Sequence, residues 1–247
     1  MAPSGWRRHS VFRMSATLPQ RVLRHVPREP VWRLRRRIDR FRNPRAEMLF
    51  LAMQFVARSR VEGDYLEFGV WQGDTFASAV ATSRHDPRLD GMRFHAFDSF
   101  EGLPAPEGKD AEGFAHFREG QYAVPRDTFE RTLKKAHVDT SRVTVTEGWF
   151  DTTLTVDTRE ELALERAAVV WVDCDLYEST VPVLPFIRPL LQDGTVLIFD
   201  DWYCFRADPA KGEQRAVAEW LEREPSVRLI EYRNFGWAGK AFVVNLR

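Results

Sequence analysis

The chain has 247 residues, of which 44% are hydrophobic, and its 36 basic residues balance its 36 acidic ones. This length allows a sizeable core in one large domain or two small ones. Two cysteines, Cys174 and Cys204, are too few for a disulfide framework or a zinc knuckle and favour a reducing cytosol. No apolar run reaches the ~18 residues of a membrane span, and the start lacks the apolar segment of a secretory signal, so we expect a cytoplasmic protein.

The positive charge is concentrated at the start of the chain. Residues 1–60 contain 15 basic and 3 acidic residues, interrupted by several prolines. We interpret residues 1–44 as a basic arm, and either helical structure or an oligomer contact is compatible with it. A patch for nucleic acid or an anionic membrane is the alternative, but no aromatic residues alternate with the basic ones as in RNA-binding segments. Residues 45–247 are expected to form the folded domain.

From residue 45 onwards, helical and extended patterns alternate. The run AEMLFLAMQFVARS has helical apolar spacing and predicts a covering helix. Strands are then predicted at residues 64–70, 92–98, 142–148, 167–173, 195–200, 227–233 and 240–246. Helices are predicted at residues 73–83, 127–136, 159–166, 179–191 and 212–223.

This order of elements predicts an α/β fold with a doubly wound, mostly parallel seven-stranded sheet. Short unbroken apolar strands separated by helices are typical of a parallel sheet covered on both faces. The last two strands are separated only by NFGWAG, which leaves no room for a crossover helix. They should pair as a hairpin, so the last strand is expected to be antiparallel.

Polar residues and glycines follow several strands at their carboxyl ends, where open α/β sheets bind ligands. Glu67, Gly69 and Gly73 come between the first strand and its helix, and Asp98 ends the second strand. Glycines allow close backbone approach to a ligand, and Asp98 stands where an acid binds ribose hydroxyls. A dinucleotide fingerprint is excluded because Trp71 replaces the required glycine. The two acids suit a neutral or cationic ligand such as S-adenosylmethionine.

Four aspartates follow two further strands of the same edge: Asp173 and Asp175, then Asp200 and Asp201. Carboxylates ~4–6 Å apart repel by about 3–4 kcal/mol at an effective dielectric of 20, so some compensation is needed. Protonation, basic side chains or a divalent cation could each provide it. Oxygen ligands suit Mg²⁺, Mn²⁺ or Ca²⁺ better than zinc. Capped strand ends and turns would equally explain each pair taken alone.

Six segments in order resemble the macrocin O-methyltransferase family: LEFGVWQGDT, FHAFDSFEGLP, EGWFDTTL, VDCDLYEST, FDDW and KGEQRAV. The resemblance covers about residues 45–247. It implies a class I methyltransferase, with a Rossmann-like sheet, that depends on S-adenosylmethionine and Mg²⁺ (or Mn²⁺) and methylates sugar hydroxyls of antibiotics. It also implies a homo-oligomer.

The resemblance further implies roles for individual residues. Glu67, Gly69 and Gly73 would line the methionine side of the donor, and Asp98 and Ser99 its ribose. Gly148, Trp149 and Phe150 would form the adenine pocket. Asp173, Asp200 and Asp201 would bind the metal, with Asp175 as the general base. Either end of the DCD segment could bind metal, since both side chains lie on one face of the strand.

The acceptor is predicted to be a sugar on a secondary metabolite. A catechol-type phenol is the closest alternative, because its adjacent oxygens can chelate a metal as a sugar diol does. A non-catalytic nucleotide- or glycan-binding protein is a third hypothesis. The long Gly-rich segment 105–125 is predicted to be an active-site lid, with His116 either an alternative base or a solvated side chain. Trp202, Tyr203 and Phe205 could stack on the acceptor or cover the sheet.

Overall fold

The computed structural model describes residues 43–112 and 116–247, and the fold is built on a seven-stranded sheet. Its strands are β1 (Asp64–Phe68), β2 (Phe94–Asp98), β3 (Val143–Glu147), β4 (Ala167–Val172), β5 (Val196–Phe199), β6 (Val227–Phe235) and β7 (Gly239–Leu246). The strand order is β3-β2-β1-β4-β5-β7-β6. Strands β1 to β5 are parallel, and β7 runs antiparallel between β5 and β6. The predicted fold class is therefore confirmed.

Helices alternate with the strands along the chain. They are α1 (Pro44–Ser59), α2 (Asp74–Ser83), α3 (Arg126–Lys135), α4 (Phe150–Thr153), α5 (Val156–Glu161), α6 (Tyr177–Ile187) and α7 (Gly212–Arg223). Short 3-10 turns lie at Pro87–Leu89, Gly108–Ala111, Thr140–Arg142, Arg188–Leu190 and Phe205–Ala207. None of the helices in the described ranges is long and apolar enough to cross a membrane.

Both faces of the sheet are covered, because alternate side chains of each strand point to opposite sides. On one face, Tyr65 and Trp171 pack with apolar residues of α1, α2 and α3. On the other face, Leu66 and Val170 pack with residues of α6 and α7. All six residues of β4 are buried, as a strand in the middle of a parallel sheet requires.

The helix after β4 ends at Ile187 and continues past two prolines, while Pro189 lies in the 3-10 segment that follows it. Pro182 and Pro185 lie inside α6, and the following turn of the chain is the 3-10 segment Arg188–Leu190. The predicted helix over 179–191 is thus one α-helix followed by a tighter turn. The basic arm predicted for residues 1–44 falls almost entirely outside the described residues, and its boundary stays a prediction.

Candidate active site

A cavity of about 480 Å³ lies at the carboxyl ends of the parallel strands. Its lining includes most of the predicted site residues: Gly69, Asp98, Ser99, Gly148, Trp149, Phe150, Asp173, Asp175, Asp200 and Asp201. The remaining two, Glu67 and Gly73, do not line it. The edge of the sheet therefore brings together ten of the twelve residues in one cavity, while their individual roles stay predictions.

Gly69 allows the ends of β1 and β4 to come unusually close. Its φ is +83°, and an added Cβ would lie 2.0 Å from the carbonyl oxygen of Asp173. Only glycine combines this left-handed backbone with so little space. The main chain that carries Asp173 is therefore fixed directly against the loop that follows β1.

Gly73 and Glu67 support the cavity without lining it. A Cβ on Gly73 would meet the ring of Phe129 at 2.7 Å, so this glycine lets α3 pack against the start of α2. Glu67 is buried, and its Oε2 accepts a hydrogen bond from the hydroxyl of Tyr65. Burial raises the pKa of Glu67 to about 8.

Asp98 organises the loop after β1 through its carboxylate. Its Oδ2 accepts hydrogen bonds from the backbone N–H groups of Val70 and Trp71 at 2.7 and 3.0 Å. Its Oδ1 accepts from the N–H of Phe100 at 2.7 Å. The acid at the end of β2 thus holds the glycine loop in place, and its contact with a ribose stays a prediction.

Three of the four aspartates converge on one point. Asp173, Asp175 and Asp201 each offer a carboxylate oxygen, and these oxygens lie within 4.8 Å of one another. Burial first, and the neighbouring carboxylates second, raise the pKa of all three well above the usual range. Asp175 has a left-handed φ of +61°, which is uncommon for a non-glycine residue and is typical of functional sites.

Asp200 has a different partner from the other three aspartates. Arg45, at the start of α1, donates from Nε to both of its carboxylate oxygens at 2.9 Å. Nη2 of Arg45 also contacts Asp200 and lies 3.8 Å from Oδ2 of Asp173. The predicted metal set of Asp173, Asp200 and Asp201 therefore differs from the three carboxylates that converge here, although all four acids line the same cavity.

Asp201 is held by two neighbours that the sequence did not indicate. The thiol of Cys204 donates to its Oδ1 at 3.1 Å, and its backbone N–H donates to Oε2 of Glu213 at 3.1 Å. Burial raises the pKa of Glu213 well above its usual range, with the charge of Asp201 as the next cause. Glu213 is the second residue of α7 and lies in the segment KGEQRAV, one of the six that resemble the family, and this is a signal that could have suggested it.

Asp110, in the predicted lid segment, forms hydrogen bonds to the starts of two helices. This buried carboxylate accepts from the N–H of Tyr177 at 2.8 Å and from that of Gly212 at 2.9 Å. These are the first residues of α6 and α7, the helices that follow the two aspartate pairs. At the base of the segment, the N–H of Gly120 donates to the carbonyl oxygen of Leu103 at 2.9 Å. Sequence analysis missed Asp110 because its partners are 67 and 102 residues away.

Aromatic side chains surround the opening of the cavity. Trp71 and Tyr122 meet edge to face, with their ring centroids 5.7 Å apart. The ring centroids of His116 and Trp237 lie 6.4 Å apart. By contrast, Trp202 packs on Phe199 and Phe242 of the sheet. Among the described residues, the cavity lining includes His116 and Trp237 but not Trp202, Tyr203 or Phe205. The sheet-covering interpretation of Trp202 therefore fits its contacts.

Comparisons with known proteins agree with this geometry. A family model described as macrocin-O-methyltransferase (TylF) matches residues 38–221. The chain is 32% identical over 164 residues, 64% of its length, to a tetracenomycin-C rhamnosyl 4'-O-methyltransferase of Streptomyces olivaceus. It is 33% identical over 174 residues, 67% of its length, to mycinamicin III 3''-O-methyltransferase of Micromonospora griseorubida.

The matched segments span 60% and 63% of those two relatives. Among solved structures, the O-methyltransferase NovP superposes with a TM-score of 0.66 at 25% identity, over 83% of this chain and 80% of that one. The family model alone covers well over half of the sequence. Together with the strand order and the cavity at the strand ends, these matches show that the chain belongs to the macrocin-O-methyltransferase family.

Proposed function

We propose that the protein transfers a methyl group from S-adenosylmethionine to a sugar hydroxyl of a glycosylated secondary metabolite. The observation that carries the proposal is the convergence of Asp173, Asp175 and Asp201 in the wall of a cavity at the strand ends. The names of the relatives support the acceptor class, since both act on O-positions of antibiotic glycosides. A cavity of about 480 Å³ lies within the common range for small-molecule sites.

The donor would occupy the side of the cavity that the loops after β1, β2 and β3 form. Gly69 and Gly148 both have left-handed φ values, and no side chain stands between their backbone and the cavity. Ser99, Trp149 and Phe150 line the same side and supply a hydroxyl and two aromatic faces. This combination of small, polar and aromatic residues suits a nucleoside with an amino-acid tail.

The acidic cluster fits a divalent cation. Oδ2 of Asp201 is buried and has no hydrogen-bond partner among the described residues, so a ligand would satisfy it. Arg45 already brings a positive charge to the same acids, which indicates that the site favours cations. We propose Asp173, Asp200 and Asp201 as the residues that would hold Mg²⁺ or Mn²⁺, with Arg45 leaving Asp200. A bound ion would supply Lewis-acid stabilisation of a developing alkoxide.

Asp175 is proposed as the general base. Its carboxylate lines the cavity, and its ligand oxygen lies within 4.8 Å of those of Asp173 and Asp201, so it is next to the proposed metal site. The acceptor hydroxyl would give its proton to Asp175 while its oxygen forms a bond to the methyl carbon. The electron pair of the breaking carbon–sulfur bond returns to sulfur and leaves a neutral thioether.

The surroundings of the cluster would exclude water during transfer. Leu103, Phe117 and Phe205 form a small buried cluster with Leu176 and Cys204 beneath the lid segment. Asp110 holds this segment to α6 and α7. Both cysteines are free and buried, which agrees with the proposed reducing cytoplasm. We also propose that the protein forms a homo-oligomer, as the family resemblance implies.

The experiment is a methyl-transfer assay with labelled S-adenosylmethionine and a panel of glycosylated macrolides, free deoxysugars and catechols, each with Mg²⁺ or EDTA. We expect acceptor-dependent transfer to a sugar hydroxyl that EDTA abolishes. Transfer to catechols alone would reassign the acceptor. Acceptor binding that survives EDTA, without transfer to any compound, would favour a non-catalytic binding protein.

A further inference from the structure

A second groove, of about 490 Å³, adjoins the active-site cavity. It lies between the start of α1 and the turn that joins β6 to β7, and Trp237 in that turn lines both spaces. The Trp237 side chain is 71% exposed. Trp237 therefore places a large apolar surface where the cavity and the groove meet.

The groove has an apolar floor and a polar edge. Pro44, Met48 and Phe235 contribute its apolar lining, and Met48 and Phe235 are themselves buried. At the edge, Arg233 and Glu47 form an ion pair with a nitrogen–oxygen distance of 2.9 Å. Because their charges neutralise each other, the groove favours an uncharged ligand, and its lining offers polar as well as apolar contacts.

The backbone of the turn is shaped to leave the groove open. Gly236 has a left-handed φ of +58°, and a Cβ placed on it would lie 3.8 Å from the Cβ of Pro44. The turn therefore packs beside the start of α1 and presents Trp237 outwards. Its ring also lies near that of His116 on the cavity side.

The size of the cavity limits what it can contain. Its volume of about 480 Å³ is in the lower half of the range of about 300–1,000 Å³ that single small-molecule sites span. Donor and acceptor sugar together would fill it. The remainder of a glycoside must then leave the cavity, and Trp237 lines both the cavity and the neighbouring groove.

We propose that this groove is the aglycone subsite: it binds the uncharged, non-sugar part of the acceptor glycoside, with Trp237 packed against that part. The inference rests on the proposed function. Trp237 is then a specificity-determining residue, because it distinguishes glycosides by what their sugar is attached to.

The test compares two acceptors that share a sugar, 4-nitrophenyl α-L-rhamnopyranoside and methyl α-L-rhamnopyranoside. Initial rates of methyl transfer give kcat and KM, and calorimetric titration into protein loaded with Mg²⁺ and S-adenosylhomocysteine gives Kd. Trp237→Ala is measured beside Ile230→Ala, which removes another exposed apolar side chain from the same hairpin, outside the groove.

We expect Trp237→Ala to raise KM and Kd for the nitrophenyl glycoside by about tenfold and to change those for the methyl glycoside by less than about twofold. Ile230→Ala should change neither.

Transfer by the wild-type protein with equal KM for both glycosides, or with no effect of Trp237→Ala, would overturn the subsite and leave the proposed function intact. A change of oligomeric state in Trp237→Ala, seen by light scattering without a change in KM, would instead assign the groove to another chain segment or a second copy. Neither transfer nor binding of either glycoside by the wild-type protein would count against both proposals.

Discussion

Arg45 and Asp200 form a two-oxygen contact across the edge of the acidic cluster. Nε of Arg45 donates to both carboxylate oxygens of Asp200 at 2.9 Å, and the two residues come from α1 and from the end of β5. The contact raises the pKa of the Arg45 guanidinium, chiefly through the hydrogen bond to Asp200. A positive charge that belongs to the protein therefore lies where we propose that a divalent ion binds.

Replacement of Arg45 by methionine should strengthen metal binding. The competing cation is lost, so we expect the affinity for Mn²⁺, measured by electron paramagnetic resonance, to rise about five- to tenfold. The metal-free protein should become less stable, because its carboxylates lose their counter-charge. Arg188→Met is the control, since Arg188 pairs with Glu224 at 2.9 Å elsewhere. A weaker affinity for Mn²⁺ in Arg45→Met would show that Arg45 assists the metal site.

Replacement of Asp200 by asparagine tests the proposed ligand set. We expect turnover to be abolished and Mn²⁺ affinity to fall by at least about tenfold, because a charged ligand is removed. Affinity for S-adenosylhomocysteine should stay within a few-fold, because the donor would be held by the loops after β1, β2 and β3. Asp208→Asn serves as the control, since Asp208 accepts only a local bond from the N–H of Ala210. Unchanged metal affinity in Asp200→Asn would point instead to Asp173, Asp175 and Asp201 as the ligands.

Glu67 should make the protein less stable as the pH rises. Its pKa is about 8 in the folded protein against 4.5 for the free side chain, so between these values the folded state binds more protons than the unfolded state. The free energy of unfolding should then fall with pH by at most ~1.4 kcal/mol per unit from this residue. We would measure the free energy of unfolding in urea at pH 5, 6, 7 and 8. It should change less with pH in Glu67→Gln than in the wild-type protein. Parallel profiles would exclude a raised pKa.

Removal of the Asp110 carboxylate should loosen the lid segment. Asp110→Ala leaves the N–H groups of Tyr177 and Gly212 without their acceptor, at a cost of about 1–2 kcal/mol in unfolding free energy. We expect faster trypsin cleavage at Lys109 and Arg118 and a higher KM for the acceptor. Asp86→Ala, which removes a comparable cap from an exposed 3-10 turn, should leave both unchanged. Equal cleavage rates would mean that other contacts hold the segment.

Gly69 should not tolerate even one added carbon. In Gly69→Ala the Cβ would lie 2.0 Å from the carbonyl oxygen of Asp173, at a backbone φ of +83°. We expect a loss of more than about 2 kcal/mol in unfolding free energy and weaker metal binding, because the strand ends must separate. Gly91→Ala is the matched control, with no atom within 4 Å of the added Cβ. Similar stability losses in both variants would exclude the close approach as the cause.

The sheet could be predicted from the sequence because its determinants are local. The unbroken apolar run of β4 indicates a buried strand. The short connection between β6 and β7 indicates an antiparallel pair, and each of these signals is contained in a few consecutive residues. The gathering of Asp173, Asp175, Asp200 and Asp201 follows from the same topology, since parallel strands end at one edge.

The contacts that complete the site could not be predicted in this way. Arg45 reaches Asp200 across 155 positions, and Asp110 reaches Gly212 across 102. No periodicity connects such pairs, because loop paths and helix packing decide them. Asp98 is an instructive case: its position was predicted correctly, yet its carboxylate binds three backbone N–H groups that only the folded loop brings near.

Strands β6 and β7 are paired along eight residue positions and join β5 through β7 alone. The N–H of Tyr203, in the loop after β5, donates to the carbonyl oxygen of Ala238 in their connecting turn at 2.8 Å, but the Trp237 side chain in that turn is 71% exposed. This side chain can therefore be exchanged without moving the strands that carry the aspartates. In evolution, such an arrangement lets the proposed acceptor preference change separately from the proposed methyl-transfer activity, although the two are otherwise selected together. On the proposed assignment, substitutions at Trp237 change the acceptor preference while the residues proposed for methyl transfer are inherited unchanged.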